Sequence, residues 1–121
     1  MSNDMQALLA RARAEVEEID VETLAGETHS FLIVDVRETE EFAAGRIENA
    51  INVPLSTLIP GLGPTNDAAD LAALTDDSRR ICVYCQSGGR SAIAAYTLSQ
   101  VGISDAVSLA GGILAWLDRR P

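Results

Sequence analysis

One cysteine of this chain stands where the sequence could stabilise a thiolate. Cys85 follows a short apolar run and precedes a stretch with helical periodicity. The loop between them reads Cys85-Gln86-Ser87-Gly88-Gly89-Arg90. Unpaired N–H groups at the start of a helix favour an anion, and the thiolate is the reactive form of cysteine. Because Gly88 and Gly89 allow the amides to turn inward and Arg90 adds a fixed charge, the loop is a candidate cradle for a nucleophilic sulfur.

The spacing of Cys82 and Cys85 raises two other kinds of chemistry, a redox disulfide and a metal site. If residues 81–84 form a strand, the two Cα atoms lie roughly 10 Å apart, beyond the separation of about 7 Å that a disulfide tolerates. Zinc takes about four ligands, and His29 is the only histidine in the sequence. We therefore expect Cys82 to be a small buried residue and the chain to hold no metal.

The charged residues limit the possible partners. The formal net charge of -9 argues against nucleic acid and anionic membranes, because both require a basic surface. All nine cationic side chains are arginine, so a lysine nucleophile or a lysine Schiff base is excluded. Since the overall field repels anions, an anionic substrate requires a local cluster of hydrogen-bond donors.

The position of the loop depends on alternating strands and helices. Apolar and β-branched runs predict strands at 16–19, 31–36, 50–53, 80–84 and 106–109. Periodicity and capping residues predict helices at 3–15, 20–26, 38–44, 67–74, 90–101 and 112–119. Residues 55–66 are rich in glycine and proline, which predicts a loop with room for one helical turn.

This order of elements indicates an α/β domain with a mainly parallel sheet and helices on both faces. Ligand sites in such folds lie beyond the carboxyl ends of the strands, where Cys85 and Asp35 both stand. A length of 121 residues fits one domain. We expect an N-terminal helix at 1–15, which either packs on the domain or docks another chain, and the domain proper at 16–121.

Nothing in the sequence predicts contact with a membrane. No apolar run approaches the roughly 20 residues of a transmembrane helix. Charged residues near the start, among them Asp4 and Arg11, leave no room for the apolar segment of a signal peptide. We therefore expect a cytoplasmic protein.

Four blocks of sequence resemble the rhodanese family and follow that family's order. They are Asp35-Val36-Arg37-Glu38 with Glu41-Phe42, Gly45-Arg46-Ile47 running into Ala50-Ile51-Asn52-Val53-Pro54, the loop from Cys85 to Ser91, and Leu109-Ala110-Gly111-Gly112 with Ala115-Trp116. The blocks extend over about residues 16–118. The resemblance implies a single rhodanese-like domain with a sheet of about five strands.

The resemblance also implies a reaction, sulfur transfer of the thiosulfate:cyanide type with Cys85 as nucleophile. The thiolate would take a sulfane sulfur from a donor such as thiosulfate and form a persulfide. It would then pass the sulfur to a nucleophilic acceptor, which could be a thiol, cyanide or a sulfur-carrier protein. No metal or organic cofactor is implied.

Residue roles follow from the same resemblance. The residues implied to bind the substrate are Gln86, Ser87, Gly88, Gly89 and Arg90, and those implied to support them are Asp35, Arg37 and Ser91. The family's arginine in the first block commonly pairs with an acidic side chain, for which Glu41 is the expected partner of Arg37.

The sequence departs from the family pattern at three places. Arg46 stands where histidine is common, Glu48-Asn49 replace a usual proline-glycine or similar pair, and Gln86 replaces an arginine often found after the cysteine. Arg46 either adds positive potential near the site or is a surface arginine in a turn. The departures leave the sulfur donor and acceptor open, and nothing in the sequence fixes the oligomeric state.

Two alternative functions remain for this fold. A phosphatase or arsenate reductase also uses a cysteine and an arginine around an anion, but cysteine phosphatases have a longer loop than the four residues between Cys85 and Arg90. The second alternative is a non-catalytic module that only binds partners. Such modules often lack the cysteine that this chain keeps.

Overall fold

Five parallel strands form one sheet at the centre of the domain. The computed structural model of the chain describes residues 2–58, 74, 77–103 and 105–119. The strands are β1 (Glu17–Ile19), β2 (Phe31–Asp35), β3 (Ile51–Asn52), β4 (Arg80–Tyr84) and β5 (Val107–Leu109), in the spatial order β1-β5-β4-β2-β3. The helices are α1 (Ser2–Glu15), α2 (Val21–Gly26), α3 (Thr39–Ala44), α4 (Leu55–Leu58), α5 (Gly89–Gln100) and α6 (Gly112–Asp118), and a 3-10 turn covers Thr28–Ser30. The predicted α/β fold with a parallel sheet is confirmed.

The predicted elements agree with the observed ones to within two residues at each end. β4 has its predicted bounds, and Asp20 caps α2 by accepting the Thr23 N–H at 2.8 Å. The predicted loop at 55–66 begins with the short helix α4, and its residues from 59 onward lie outside the described ones. The predicted helix at 67–74 also lies outside them except for Leu74, which is helical and buried.

Alternate residues of the central strands point to opposite faces and build two apolar clusters. Leu32 and Val34 pack on one side of β2, and Ile33 packs on the other. Residues of α1, α4 and α5 belong to the first cluster, and residues of α2 and α6 belong to the second. Every residue of β2 is buried, as expected for a strand covered on both faces. Helices therefore clothe both faces of the sheet.

The same alternation separates the two cysteines. Cys82 belongs to the cluster beneath α2 and α6, whereas Cys85, just beyond the end of β4, belongs to the cluster beneath α5. Both are free thiols. Burial raises the pKa of Cys82 to about 12, with a smaller opposing effect from Arg80, so this thiol stays neutral and serves as packing.

Helix α1 lies on α5. Its Ala12 is fully buried, and Leu8, Leu9 and Val16 pack around the same cluster. The helix thus covers the core near the start of α5. There a guanidinium nitrogen of Arg13 lies 4.0 Å from the position that a Cβ on Gly89 would take. No helix within the described ranges is long and apolar enough to cross a membrane.

Candidate active site

Two backbone amides donate to the sulfur of Cys85. Cys85 follows β4, the middle strand of the sheet, and only 1% of its surface is exposed. Its Sγ accepts the N–H of Gly88 at 3.1 Å and the N–H of Ser91 at 3.4 Å. Gly88 caps α5 with φ +114°, a conformation that L side chains rarely adopt. Gly88 therefore allows the turn that directs the loop amides toward the sulfur.

Two serines close the site from the side of the sheet. The Cys85 thiol donates to Ser91 Oγ at 3.6 Å, and that hydroxyl donates to the Gly88 carbonyl at 3.1 Å. Ser91 Oγ also lies 2.8 Å from Ser108 Oγ of β5. Both serines are completely buried, so this pair fixes the Ser91 hydroxyl beside the sulfur.

The start of α6 holds the backbone on the other side of the loop. The Ile113 N–H donates to the Cys85 carbonyl at 2.9 Å, and the Leu114 N–H donates to the Gln86 carbonyl at 3.2 Å. Gly112 approaches so closely that a Cβ there would collide with both carbonyl oxygens, and its φ is +60°. The first N–H groups of α6 thus orient the loop that leads into α5.

The guanidinium of Arg90 is paired with the carboxylate of Glu41. Its Nη1 and Nη2 donate to the two oxygens of Glu41 at 2.8 and 3.2 Å. Hydrogen bonds to Glu41 raise the pKa of Arg90; burial opposes them, and the nearby Cys85 contributes a smaller electrostatic effect. Glu41 is oriented in turn by the Glu38 N–H, which donates to Oε1 at 3.0 Å in the capping box of α3. The charge of Arg90 is therefore compensated by a carboxylate at the edge of the loop.

The expectation that Arg37 pairs with Glu41 is wrong. Asp35 holds Arg37 instead: the backbone N–H of Arg37 donates to Asp35 Oδ1 at 2.8 Å, and its guanidinium contacts both carboxylate oxygens, with Nη2 at 2.6 Å. A carboxylate two residues away can engage the backbone and the side chain of one arginine together. Asn52 links the two residues by donating to both of their carbonyls at 2.9 and 3.0 Å.

The other predicted site residues lie around the same loop. Gln86 and Ser87 are exposed on its outer side, and Gly89 begins α5. Arg46 stacks on the Phe42 ring, with its guanidinium carbon 4.5 Å from the ring centroid. The structure thus brings together every predicted residue at the carboxyl ends of β2 and β4.

The sequence analysis missed the contributions of Ser108 and Gly112. Ser108 carried a signal, since it is a lone polar residue in the apolar strand β5 and a buried hydroxyl requires a partner. Gly112 belongs to a glycine pair at a helix start, the same kind of pattern that marked the Cys85 loop. Its approach to that loop depends on how α6 docks, which the sequence alone does not specify.

The arrangement can donate two backbone hydrogen bonds to a negatively charged sulfur. Two amide donors are in place before any substrate binds, so a transition state that gains charge at the sulfur needs little reorganisation. In the described part of the chain, no group of three or more His, Cys, Asp or Glu side chains could hold a metal ion. The described residues thus offer a cysteine sulfur with two backbone donors.

Comparison with known proteins finds related sequences. A family model described as "Rhodanese-like domain" matches residues 17–119. A sulfurtransferase from Allochromatium vinosum is 36% identical over 104 residues, which cover 84% of this chain and 88% of that protein. The chloroplastic thiosulfate sulfurtransferase 16 from Arabidopsis thaliana is 38% identical over 95 residues, covering 77% of this chain and 76% of that protein.

Solved structures give the same result for the fold. A rhodanese-related protein from Thermoplasma volcanium superposes with a TM-score of 0.68 at 30% identity, covering 84% of this chain and 91% of that one. The chain also matches parts of longer relatives, spanning 42% of one and 19% of another. Its fold therefore occurs both alone and as a part of larger proteins.

Replacing Gly112 should disturb the Cys85 loop. We expect Gly112→Ala to lower the free energy of unfolding by about 1 to 3 kcal/mol, because the new Cβ would collide with the loop carbonyls in a strained conformation. Urea unfolding measures this loss, and alkylation of Cys85 by iodoacetamide reports a displaced loop. Gly26→Ala is the control, since a Cβ there meets nothing within 4 Å. Equal stability of both variants would contradict the packing described.

The Glu41 and Arg90 pair should make stability depend on pH. Hydrogen bonds from Arg90 lower the pKa of Glu41 from 4.5 to about 2, with smaller help from the Glu38 N–H and the charges of Arg90 and Arg37, against burial. A carboxyl whose pKa is lowered by folding stabilises the fold above its unfolded pKa and loses that effect as the pH falls through its folded pKa.

We therefore expect the stability difference between wild type and Glu41→Gln to shrink as the pH falls from 4.5 to about 2. Urea unfolding across this window measures it. In an Arg90→Gln background, the stability difference between Glu41 and Glu41→Gln should lose most of its pH dependence, because Glu41 no longer has its arginine partner. A difference that stays constant with pH in the wild-type background would show that the pair does not lower the pKa of Glu41.

Proposed function

The chain belongs to the rhodanese-like domain family, and on that premise we propose that it transfers sulfane sulfur from a donor such as thiosulfate to a nucleophilic acceptor, through a persulfide on Cys85. The observation that carries the proposal is the pair of amides, from Gly88 and Ser91, that converge on Cys85 Sγ. Relatives named as sulfurtransferases support this activity at the level of the family.

The first half-reaction loads the enzyme with sulfur. A lone pair of the Cys85 thiolate attacks the sulfane sulfur of thiosulfate and forms a new S–S bond. The older S–S bond breaks, and sulfite leaves with the bonding electrons. The product is a persulfide whose terminal sulfur carries the negative charge. The amides of Gly88 and Ser91 would stabilise the thiolate before the attack, and the curled loop would then surround the persulfide.

The second half-reaction returns the enzyme to its starting state. A nucleophilic acceptor, either cyanide or a thiolate, attacks the terminal sulfur of the persulfide. The bond between the two sulfurs breaks, and its electrons return to Cys85 as a thiolate. Cyanide gives thiocyanate, whereas a thiol or a sulfur-carrier protein would itself become persulfidated.

The surrounding residues have positioning roles in this proposal. Arg90 and Glu41 form an ion pair at the loop edge, which limits the net positive charge that Arg90 offers to an anion. The buried Asp35 and Arg37 pair fixes the adjacent strand end. Gln86 and Ser87, on the exposed side of the loop, lie where a donor would arrive. Specific stabilisation of sulfur therefore rests mainly on backbone amides.

Sulfur loading should depend on Cys85 and not on Cys82. After incubation with thiosulfate, intact-mass spectrometry should detect one added sulfur atom on the wild type, and cyanide should then release thiocyanate. We expect both signals to disappear in Cys85→Ser. The matched control Cys82→Ser keeps both, because Cys82 faces the opposite side of the sheet.

Three other outcomes would overturn the proposal. Hydrolysis of an aryl phosphate without any sulfur loading would favour the phosphatase alternative. Absence of both reactions with every donor tested would favour a non-catalytic binding module. Sulfur loading that survives in Cys85→Ser but is lost in Cys82→Ser would show that Cys82 is the nucleophile.

A further inference from the structure

The last turn of α1 brings one arginine to the start of α5. Arg13 lies in that turn, and its Nη2 atom is 4.0 Å from the position that a Cβ on Gly89 would take. Gly89 directly follows Gly88, whose N–H donates to Cys85 Sγ at 3.1 Å. The guanidinium of Arg13 is therefore on the order of 10 Å from the sulfur that would carry the persulfide.

The packing of α1 fixes where this arginine stands. Its neighbour Ala12 is completely buried in the apolar cluster beneath α5, and Leu8 and Leu9 pack against the same cluster. The backbone at Arg13 is therefore anchored although its side chain is exposed. Helix α1 precedes residues 17–119, which match the rhodanese-like family. The loop thus receives a cation from outside the matched part of the chain.

The ion pairs of the site leave the charge of Arg13 uncompensated. Both oxygens of Glu41 accept from Arg90, so the arginine within the loop is largely neutralised. Arg13 makes no ion pair with a carboxylate in the described ranges. Arg46 also has no carboxylate partner there, but its guanidinium stacks on the ring of Phe42. At the start of α5, the uncompensated cation is therefore Arg13.

The position of Arg13 relative to the two helices has opposite electrostatic consequences. A cation in the last turn of α1 is favoured by the dipole of that helix, whereas a cation beside the first turn of α5 is opposed by the dipole of α5. At α5 the guanidinium therefore adds to the positive potential of the helix start. Because the whole chain has a net charge of -9, an anion that approaches Cys85 depends on such a local source.

We propose that Arg13 raises the positive potential at Cys85, so that this sulfur reacts faster with anionic than with neutral partners. The inference deepens the proposed sulfur transfer, on which it rests for the identity of the nucleophile, and it makes α1 a part of the active site. A unit charge on the order of 10 Å away, at an effective dielectric constant of about 20 and an ionic strength of about 0.1 M, changes the rate for a monoanion by about threefold.

Two alkylating reagents of different charge test the inference. Iodoacetate is an anion and iodoacetamide is neutral, and both transfer a carbon to the same thiolate. Opening of the loop and the thiolate fraction affect both rates equally, so the ratio of the two rate constants reports the potential at the sulfur. In a Cys82→Ser background, where Cys85 is the only thiol, we expect Arg13→Gln to lower the iodoacetate to iodoacetamide ratio about threefold at about 0.1 M ionic strength. At about 1 M the difference should vanish.

Two further variants separate the position of the charge from its presence. Arg11→Gln removes the same charge from α1, but residues two apart lie about 200° apart around a helix, so Arg11 faces away from the loop. We expect it to keep the wild-type ratio. Arg13→Lys should also keep the ratio, because the charge remains. If Arg13→Gln slows both reagents equally, Arg13 only stabilises α1 and the inference is wrong. An equal drop in Arg11→Gln would assign the effect to net charge and would also overturn it.

Sulfur loading distinguishes this inference from the proposed function. Thiosulfate carries two negative charges, so we expect Arg13→Gln to slow its reaction with Cys85 by about tenfold at about 0.1 M ionic strength. If thiosulfate loads wild type and Arg13→Gln at the same rate and the alkylation ratio is also unchanged, the inference about Arg13 alone fails. If thiosulfate loads neither protein while the alkylation ratio falls in Arg13→Gln, the inference about the potential is supported and the proposed function fails.

Discussion

The site depends on two backbone N–H groups that point at one sulfur atom. The amides of Gly88 and Ser91 reach Cys85 Sγ only because the chain leaves β4, turns through a left-handed glycine and enters α5 within a few residues. Helix α6 then fixes the loop from the opposite side by donating two N–H groups to its carbonyls. Donors that belong to the backbone have little freedom to move, so the fold itself provides the anion site.

The two cysteines have different surroundings although they are close in sequence. Cys82 and Cys85 are three residues apart, yet they pack on opposite faces of the sheet. Cys82 lies within the apolar cluster of β2 and β5, where burial raises the pKa of its thiol to about 12. Cys85 lies past the end of the strand, where a helix begins and amides are free to donate. The difference between the surroundings of the two cysteines arises because β4 ends between them.

Features with a local cause could be predicted from the sequence. Short stretches of sequence were enough to predict three features: the bounds of β4, the capping residue Asp20 and the loop after Cys85. Arg37 was assigned the wrong partner because the local alternative was overlooked. The same Asp-x-Arg arrangement recurs in Asp77 and Arg79, where the carboxylate again binds both the backbone N–H and the guanidinium. A carboxylate two residues before an arginine, next to the end or the start of a strand, is therefore a usable signal.

Contacts between distant elements could not be predicted in this way. Glu41 and Arg90 meet because α3 and the start of α5 lie at the same edge of the sheet, 49 residues apart in sequence. Gly112 has its role because α6 docks against the loop. Neither relation is encoded in periodicity or composition, since both depend on how helices pack once the sheet has formed.

Amide proton chemical shifts test the central claim most directly. On a ¹⁵N-labelled sample, persulfidation of Cys85 keeps a negative charge beside the loop, and replacement of Cys85 by serine removes it. The account predicts that the Gly88 and Ser91 amide protons resonate far downfield in the thiolate and persulfide forms, and that both move upfield in Cys85→Ser at the same pH. Shifts at these two amides that are the same in all three forms would show that the backbone does not hold the sulfur.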